Sequence, residues 1–142
     1  MKKAIIVYFS QTGNTELMAK KIMEGLVNKK IKTSLVNING VDLDDVLTYD
    51  KIILGCPAMG NENLEEEFFE PFFETLLSRA TNQEFALFGS YGWGNQVWIK
   101  LWGDRFKELN LNLFDKTLAL YSTPTSEEEE ECIKFGELIA LN

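Results

Sequence analysis

An α/β domain built on a doubly wound, five-stranded parallel sheet with helices on both faces is the fold class this sequence predicts. Apolar strand-like runs alternate with helix-period patterns along all 142 residues. The connections between them are short, which forces parallel pairing through right-handed crossovers. Each apolar run is also near-continuous, as expected of strands covered on both faces.

The first strand is predicted at residues 3–9 and the first helix after residue 15, where Met18, Ile22 and Leu26 recur at helical spacing. A second strand follows at 33–38, a short helix at 42–47 and a third strand at 51–56. Residues 64–77 carry the next helical pattern, but a proline inside a helix removes a hydrogen bond and clashes with the preceding turn. Pro71 therefore belongs to a first turn, giving one turn over 64–69 and a regular helix from about Glu70. The fourth strand is expected at 84–90, then a helix with Trp98, Trp102, Phe106 and Leu109 on one face. A fifth strand at 117–122 precedes a closing helix whose stripe is Cys132, Phe135 and Ile139. Residues 127–131, five consecutive glutamates, fall at that helix's start, where the macrodipole favours negative charge.

A chain of this length and 45% hydrophobic content suits one compact domain, residues 1–142. No apolar run approaches the ~20 residues of a membrane span, and no small-residue cleavage site follows the first strand, so a cytoplasmic protein is expected. Cys56 and Cys132 lie far apart and in no metal-ligand spacing, which makes two buried free thiols the simplest reading. The 22 acidic against 14 basic residues, net −8, repel nucleic acid and attract a basic protein partner. The chain has no histidine, which excludes Ser-His and Cys-His catalysis and most zinc chemistry.

Ligands of such sheets bind beyond the carboxyl ends of the strands, and three loops there are unusual. Ser10, Gln11, Thr12, Gly13, Asn14 and Thr15 follow the first strand and open a helix, so backbone N–H groups, side-chain donors and a helix N-terminus converge. That loop is neither a Walker loop, which needs G-x-x-x-x-G-K-[ST], nor a G-x-G-x-x-G turn. A donor-rich, charge-poor collar suits a single terminal phosphate. In the loop after strand four, Trp93 stands between Gly92 and Gly94, where an indole can cover a planar ligand. Met59, after strand three, can offer a thioether to the opposite face. Together these describe a phosphorylated planar aromatic.

The motifs YFSQTGNTE, LGCPAMGNE, ALFGSYGWG and ECIKFGELIA, in that order over the full length, resemble the flavodoxin family, in particular its short-chain members from anaerobic bacteria. The resemblance implies strand order 2-1-3-4-5, one non-covalently bound FMN and one-electron transfer between redox partner proteins. It implies that Ser10 to Thr15 and Ser90 hold the phosphate. Met59 and Trp93 would lie on the two flavin faces, with Pro57 and Ala58 leading into the inner one. The backbone of Tyr91, Gly92, Trp93 and Gly94 would meet the pyrimidine edge, and Glu62 would accept from flavin N3–H. The peptide between Gly60 and Asn61 would turn over on one-electron reduction to accept from N5–H. Partners with basic docking surfaces and a monomeric carrier are expected, with Glu62, Glu65, Glu66, Glu67, Glu70 and residues 127–131 as an acidic rim at the cofactor edge. A flavin-dependent NAD(P)H:quinone oxidoreductase is the alternative on the same fold. A response-regulator receiver is excluded because Ser10-Gln11 and Pro57-Ala58 stand where its acidic residues are needed, and a low-molecular-weight phosphatase because C-x5-R is missing.

Overall fold

The computed structural model describes residues 2–59, 64–92, 94 and 96–142. Its elements run β1 (Lys3–Tyr8), α1 (Asn14–Asn28), β2 (Lys32–Asn37), α2 (Leu43–Val46), β3 (Lys51–Gly55), α3 (Phe69–Arg79), β4 (Glu84–Tyr91), α4 (Val97–Glu108), β5 (Asn112–Leu113), β6 (Leu118–Tyr121) and α5 (Ser126–Leu141). The sheet is parallel with order β2-β1-β3-β4-β5, and β6 also pairs with β4. The doubly wound sheet and its strand order are as the sequence predicts.

Side-chain alternation sorts each strand onto two cores. Ile5, Val7, Ile52, Leu54, Phe85 and Leu87 face α2, α3 and α4, while Ala4, Ile6, Ile53, Ala86 and Phe88 face α1 and α5. Both faces are buried, which is why the strands read as unbroken apolar runs. On the first face the aromatic rings interlock edge to face. Trp102 meets Phe69 at 5.5 Å and Phe73 at 5.7 Å, and Phe106 meets Phe73 at 5.3 Å. On the second face α1 and α5 touch through glycine: a Cβ on Gly25 would stand 2.0 Å from the Ile133 carbonyl oxygen, and one on Gly136 would stand 2.1 Å from that of Ile22. Backbone against backbone is the only way these helices come so close.

The structure corrects the sequence reading at three places. The strand expected at 117–122 is present as Leu118–Tyr121, but the fifth sheet position also holds a short strand that the sequence reading lacks. Asn112–Leu113 pairs with Glu84 and Phe85, the chain leaves the ladder, and Leu118–Tyr121 returns to pair with 88–91. Leu109 is half exposed rather than core, because α4 ends at Glu108 and Leu109 is already its C-cap. Pro71 does stand in the first turn of α3, where a missing N–H costs nothing, but the acidic run before it behaves unexpectedly. The Glu65 carboxylate is buried and accepts from the backbone N–H groups of Glu67, Phe68 and Phe69, each at 2.8 Å. It ties down the turn that leads into α3, and at 7% exposure it offers little surface to a partner.

At the opposite, amino edge of the sheet, Lys51 is 1% exposed, paired with Glu84 and donating to the Asn142 carbonyl at 3.0 Å. A lysine buried so deeply needs both partners. Both cysteines are buried and free.

Candidate functional site

At the carboxyl end of the sheet, the loops after β1, β3, β4 and β6 enclose a cleft of about 200 Å³. Gln11, Thr12, Asn14 and Thr15 form one wall, Pro57, Ala58 and Met59 a second, Ser90, Tyr91 and Gly92 a third, and Ser122 completes it. Four separate loops, assembled only in the fold, thus bring ten of the sequence-predicted site residues together. Gly60, Asn61, Glu62 and Trp93 lie outside the described residues.

The first loop is shaped from within. Ser10 Oγ accepts from the N–H groups of Gly13, at 3.1 Å, and Glu16, at 3.3 Å. This leaves the hydroxyl proton to donate. Gly13 is the N-cap of α1 at φ 96°, a left-handed conformation that a side chain would penalise, with open space where a Cβ would point. Gly13 has no side chain to cap α1 and Ser10 takes only the Glu16 N–H, so those of Asn14 and Thr15 remain available to an acceptor. Thr15 and Ser90 are almost fully buried, and their hydroxyl oxygens stand 2.8 Å apart, tying the β1 loop to the end of β4. Each hydroxyl can donate once and accept twice, so the pair keeps one proton for a third acceptor. Thr123 donates to Asn14 Oδ1 at 3.1 Å and fastens the β6 loop to the same collar.

The flat side of the cleft is equally supported. Ala58 N–H donates to the Ser90 carbonyl at 3.0 Å, continuing the β3–β4 ladder beyond the strand. The Tyr91 ring is set between Trp98 at 5.6 Å and Tyr121 at 5.6 Å, and its hydroxyl accepts from Gln96 at 3.2 Å. Trp98 in turn donates its indole N–H to the Cys56 carbonyl at 3.1 Å, holding the start of the β3 loop. Gly94, at φ 84°, turns the β4 loop by using a conformation open to glycine.

Ser122 has the plainest signature of a residue that sequence reasoning undervalued. It is not glycine, yet it sits at φ 58° in the cleft wall, and its N–H donates to the Tyr91 carbonyl at 2.8 Å. Left-handed backbone at a non-glycine residue is held in place by its surroundings and concentrates at ligand sites. Its position at the end of the last strand was the available signal.

Nucleophilic chemistry has no support here. Burial pushes the Cys56 thiol up to about 12, and it pushes Cys132 up to about 12 as well, so neither is a thiolate at neutral pH. No cluster of His, Cys, Asp or Glu suited to a metal ion occurs among the described residues. Among those residues, too, no helix is long and apolar enough to cross a membrane.

Comparison with known proteins agrees with this arrangement. The chain is 41% identical to a flavodoxin of Clostridium beijerinckii over 95% of this chain and 97% of that one. It is 36% identical to the flavodoxin of Megasphaera elsdenii over 95% and 96%. The solution structure of that protein in its two-electron reduced state superposes with a TM-score of 0.87, covering 98% of this chain and 99% of the other. A flavodoxin from the domain Archaea superposes at 0.88 with 28% identity, over 98% and 96%. The flavodoxin family profile matches residues 6–136, and with two relatives this similar over nearly their whole length, the chain belongs to the flavodoxin family.

Proposed function

We propose that this flavodoxin is a low-potential one-electron carrier that holds FMN in the cleft and passes electrons between redox partner proteins. FMN is the cofactor of the family and supplies the redox chemistry; the protein supplies binding and electrostatics. The observation that carries the reading is a phosphate collar without a cation inside an acidic protein.

The donor set fits a phosphate. Ser10, Thr12, Asn14 and Thr15 with the α1 N-terminus offer hydrogen bonds and a positive dipole end, and Ser90 adds a hydroxyl through its pairing with Thr15. Gln11 and Gly13 contribute backbone. Pro57, Ala58 and Met59 would lie along one face of the ring, and Tyr91, Gly92 and Gly94 along its polar edge. Gly60, Asn61, Glu62 and Trp93 keep the roles the family resemblance implies.

Low potential follows from charge. With no Lys or Arg in the collar, each added electron meets a protein of net −8. A carboxylate ~10 Å from an added negative charge costs roughly 1.7 kcal/mol at an effective dielectric of ~20. One electron converts ~1.4 kcal/mol to ~59 mV, so a few such carboxylates lower a potential by ~100–200 mV before salt screening.

Purified protein should carry a flavin spectrum, release FMN on acid treatment, and bind riboflavin at least ~100-fold more weakly than FMN, the loss expected for several charge-assisted bonds. Equal affinity for the two flavins would remove the collar as the phosphate site. Steady NADPH oxidation with a quinone acceptor would instead favour the oxidoreductase.

A further inference from the structure

Asn14 lines the cofactor cleft from the first turn of α1, yet the bond that fixes its side chain comes from a residue outside the cleft wall. Thr123 Oγ1 donates to Asn14 Oδ1 at 3.1 Å, across 109 positions of sequence. An amide has one accepting end and one donating end. With Oδ1 engaged by Thr123, the N–H2 group is the end left for the cleft.

Thr123 is exposed, but the chain around it is tightly held. On one side Ser122 sits at φ 58°, its N–H bonded to the Tyr91 carbonyl at 2.8 Å. On the other, Pro124 is buried and restricts the residue before it to extended backbone. Thr125 then closes the capping box of α5 with Glu128. A β-branched side chain is itself stiff at χ1, so the hydroxyl is set by the fold before any ligand arrives.

We propose that Thr123 is a positioning residue for phosphate recognition, fixing the Asn14 side chain so that its N–H2 group, and not its oxygen, meets the anion. The inference rests on the reading of the collar as the phosphate site. A hydroxyl can serve either end of an amide, but only the observed pairing, Oδ1 on Thr123, lets the same side chain also donate to an anion. The reversed amide would lose that bond and turn an oxygen towards a negative charge. The collar segment, residues 10–15, holds no Lys or Arg to draw the phosphate in, so neutral donors have to be aimed in advance.

The test is the affinity of the apoprotein for FMN and for riboflavin, by flavin fluorescence, in wild type, Thr123→Val, Thr123→Ser, Asn14→Ala and the Asn14→Ala/Thr123→Val double variant. Valine keeps the branched shape and removes the hydroxyl. It should weaken FMN about 3- to 10-fold, the worth of one net hydrogen bond, while riboflavin stays within ~2-fold and serine restores FMN. In the Asn14→Ala background the valine should change FMN affinity by no more than ~2-fold, because Thr123 acts through Asn14. A second readout needs only one variant, for assignment: the side-chain N–H2 resonances of Asn14, identified by their loss in Asn14→Ala, should differ between the FMN and riboflavin complexes of ¹⁵N-labelled wild type. An unchanged FMN-to-riboflavin ratio in Thr123→Val, no rescue by serine, a full further loss in the double variant, or Asn14 resonances alike in both complexes would each overturn the proposal. Equal affinity of the wild type for the two flavins would overturn the phosphate reading beneath it as well, which tells the two failures apart.

Discussion

Replacing Glu65 with alanine tests whether the acidic segment after β3 is a partner-facing surface or a piece of the fold. In the wild type one buried carboxylate takes three backbone N–H groups, Oε2 from Glu67 and Oε1 from Phe68 and Phe69. After Glu65→Ala the N–H groups of Glu67 and Phe68, only partly buried, turn to water at a cost of ~0.5–1 kcal/mol each. That of Phe69 is buried and left unmet at ~1–3 kcal/mol. The sum is about 3 kcal/mol, or roughly 10 °C in Tm for a chain of this size. Glu65→Gln keeps the oxygen that serves Phe68 and Phe69 and loses only the bond from Glu67, so it should cost about 1 kcal/mol and ~3 °C. Thermal melts of the apoprotein followed by circular dichroism, with amide exchange at Phe68 and Phe69, measure both. An alanine variant melting within 2 °C of wild type, or a glutamine variant as damaged as the alanine one, would refute its role in the turn (the first bound being ~0.5 kcal/mol).

Ser90→Ala removes the hydroxyl paired with Thr15 and should weaken FMN binding about 5- to 10-fold by fluorescence titration; an unchanged Kd would detach that pair from the phosphate. Gly136→Ala drives a methyl into the Ile22 carbonyl, so α1 and α5 must part, and a loss of ~3 kcal/mol or more is expected in urea melts. The thiols give the pH dependence. Both sit near 9 when unfolded and are raised by burial to about 12 in the fold, so the unfolded chain loses its protons first and stability falls as pH rises from 9 towards 12. The urea midpoint should drop between pH 8 and 10, and Cys132→Ala should flatten that drop; a pH-independent difference between the two proteins would contradict it.

The sheet was legible because coverage on both faces leaves its mark on every strand: Ile5 and Val7 serve one core, Ala4 and Ile6 the other. The first loop stood out because hydroxyls, amides and glycine gather there between a strand and a helix, and the fold sets Gln11, Thr12, Asn14 and Thr15 in the cleft wall. Features that depend on where the chain folds back were not. Glu65 looks like its acidic neighbours until α3 is placed above it, and then, among the described residues of that segment, it is the one buried carboxylate. Glu128 is likewise half of a capping box with Thr125, and Glu129 pairs with Lys21 at 3.6 Å, so the acidic run at α5 is partly spent within the molecule. Leu109 fits the helical stripe of Trp98, Trp102 and Phe106 by period, but periodicity carries no information about where a helix stops. Trp102 fits the same stripe and is core, 1% exposed and set edge-on against Phe69 and Phe73.

The break in the last sheet position bears on how the molecule behaves in a crowd. An outer strand presents unpaired N–H and C=O groups to which another chain can add. Here that border is cut into Asn112–Leu113 and Leu118–Tyr121, so no continuous stretch reaches the five or six residues of an ordinary strand. A second copy approaching edge-on would find two short footholds, staggered by the intervening loop, in place of a template. The interruption thus blunts this border, while β2 (Lys32–Asn37) keeps the opposite one continuous, and lengthening β6 into one unbroken strand would give the molecule a second open edge.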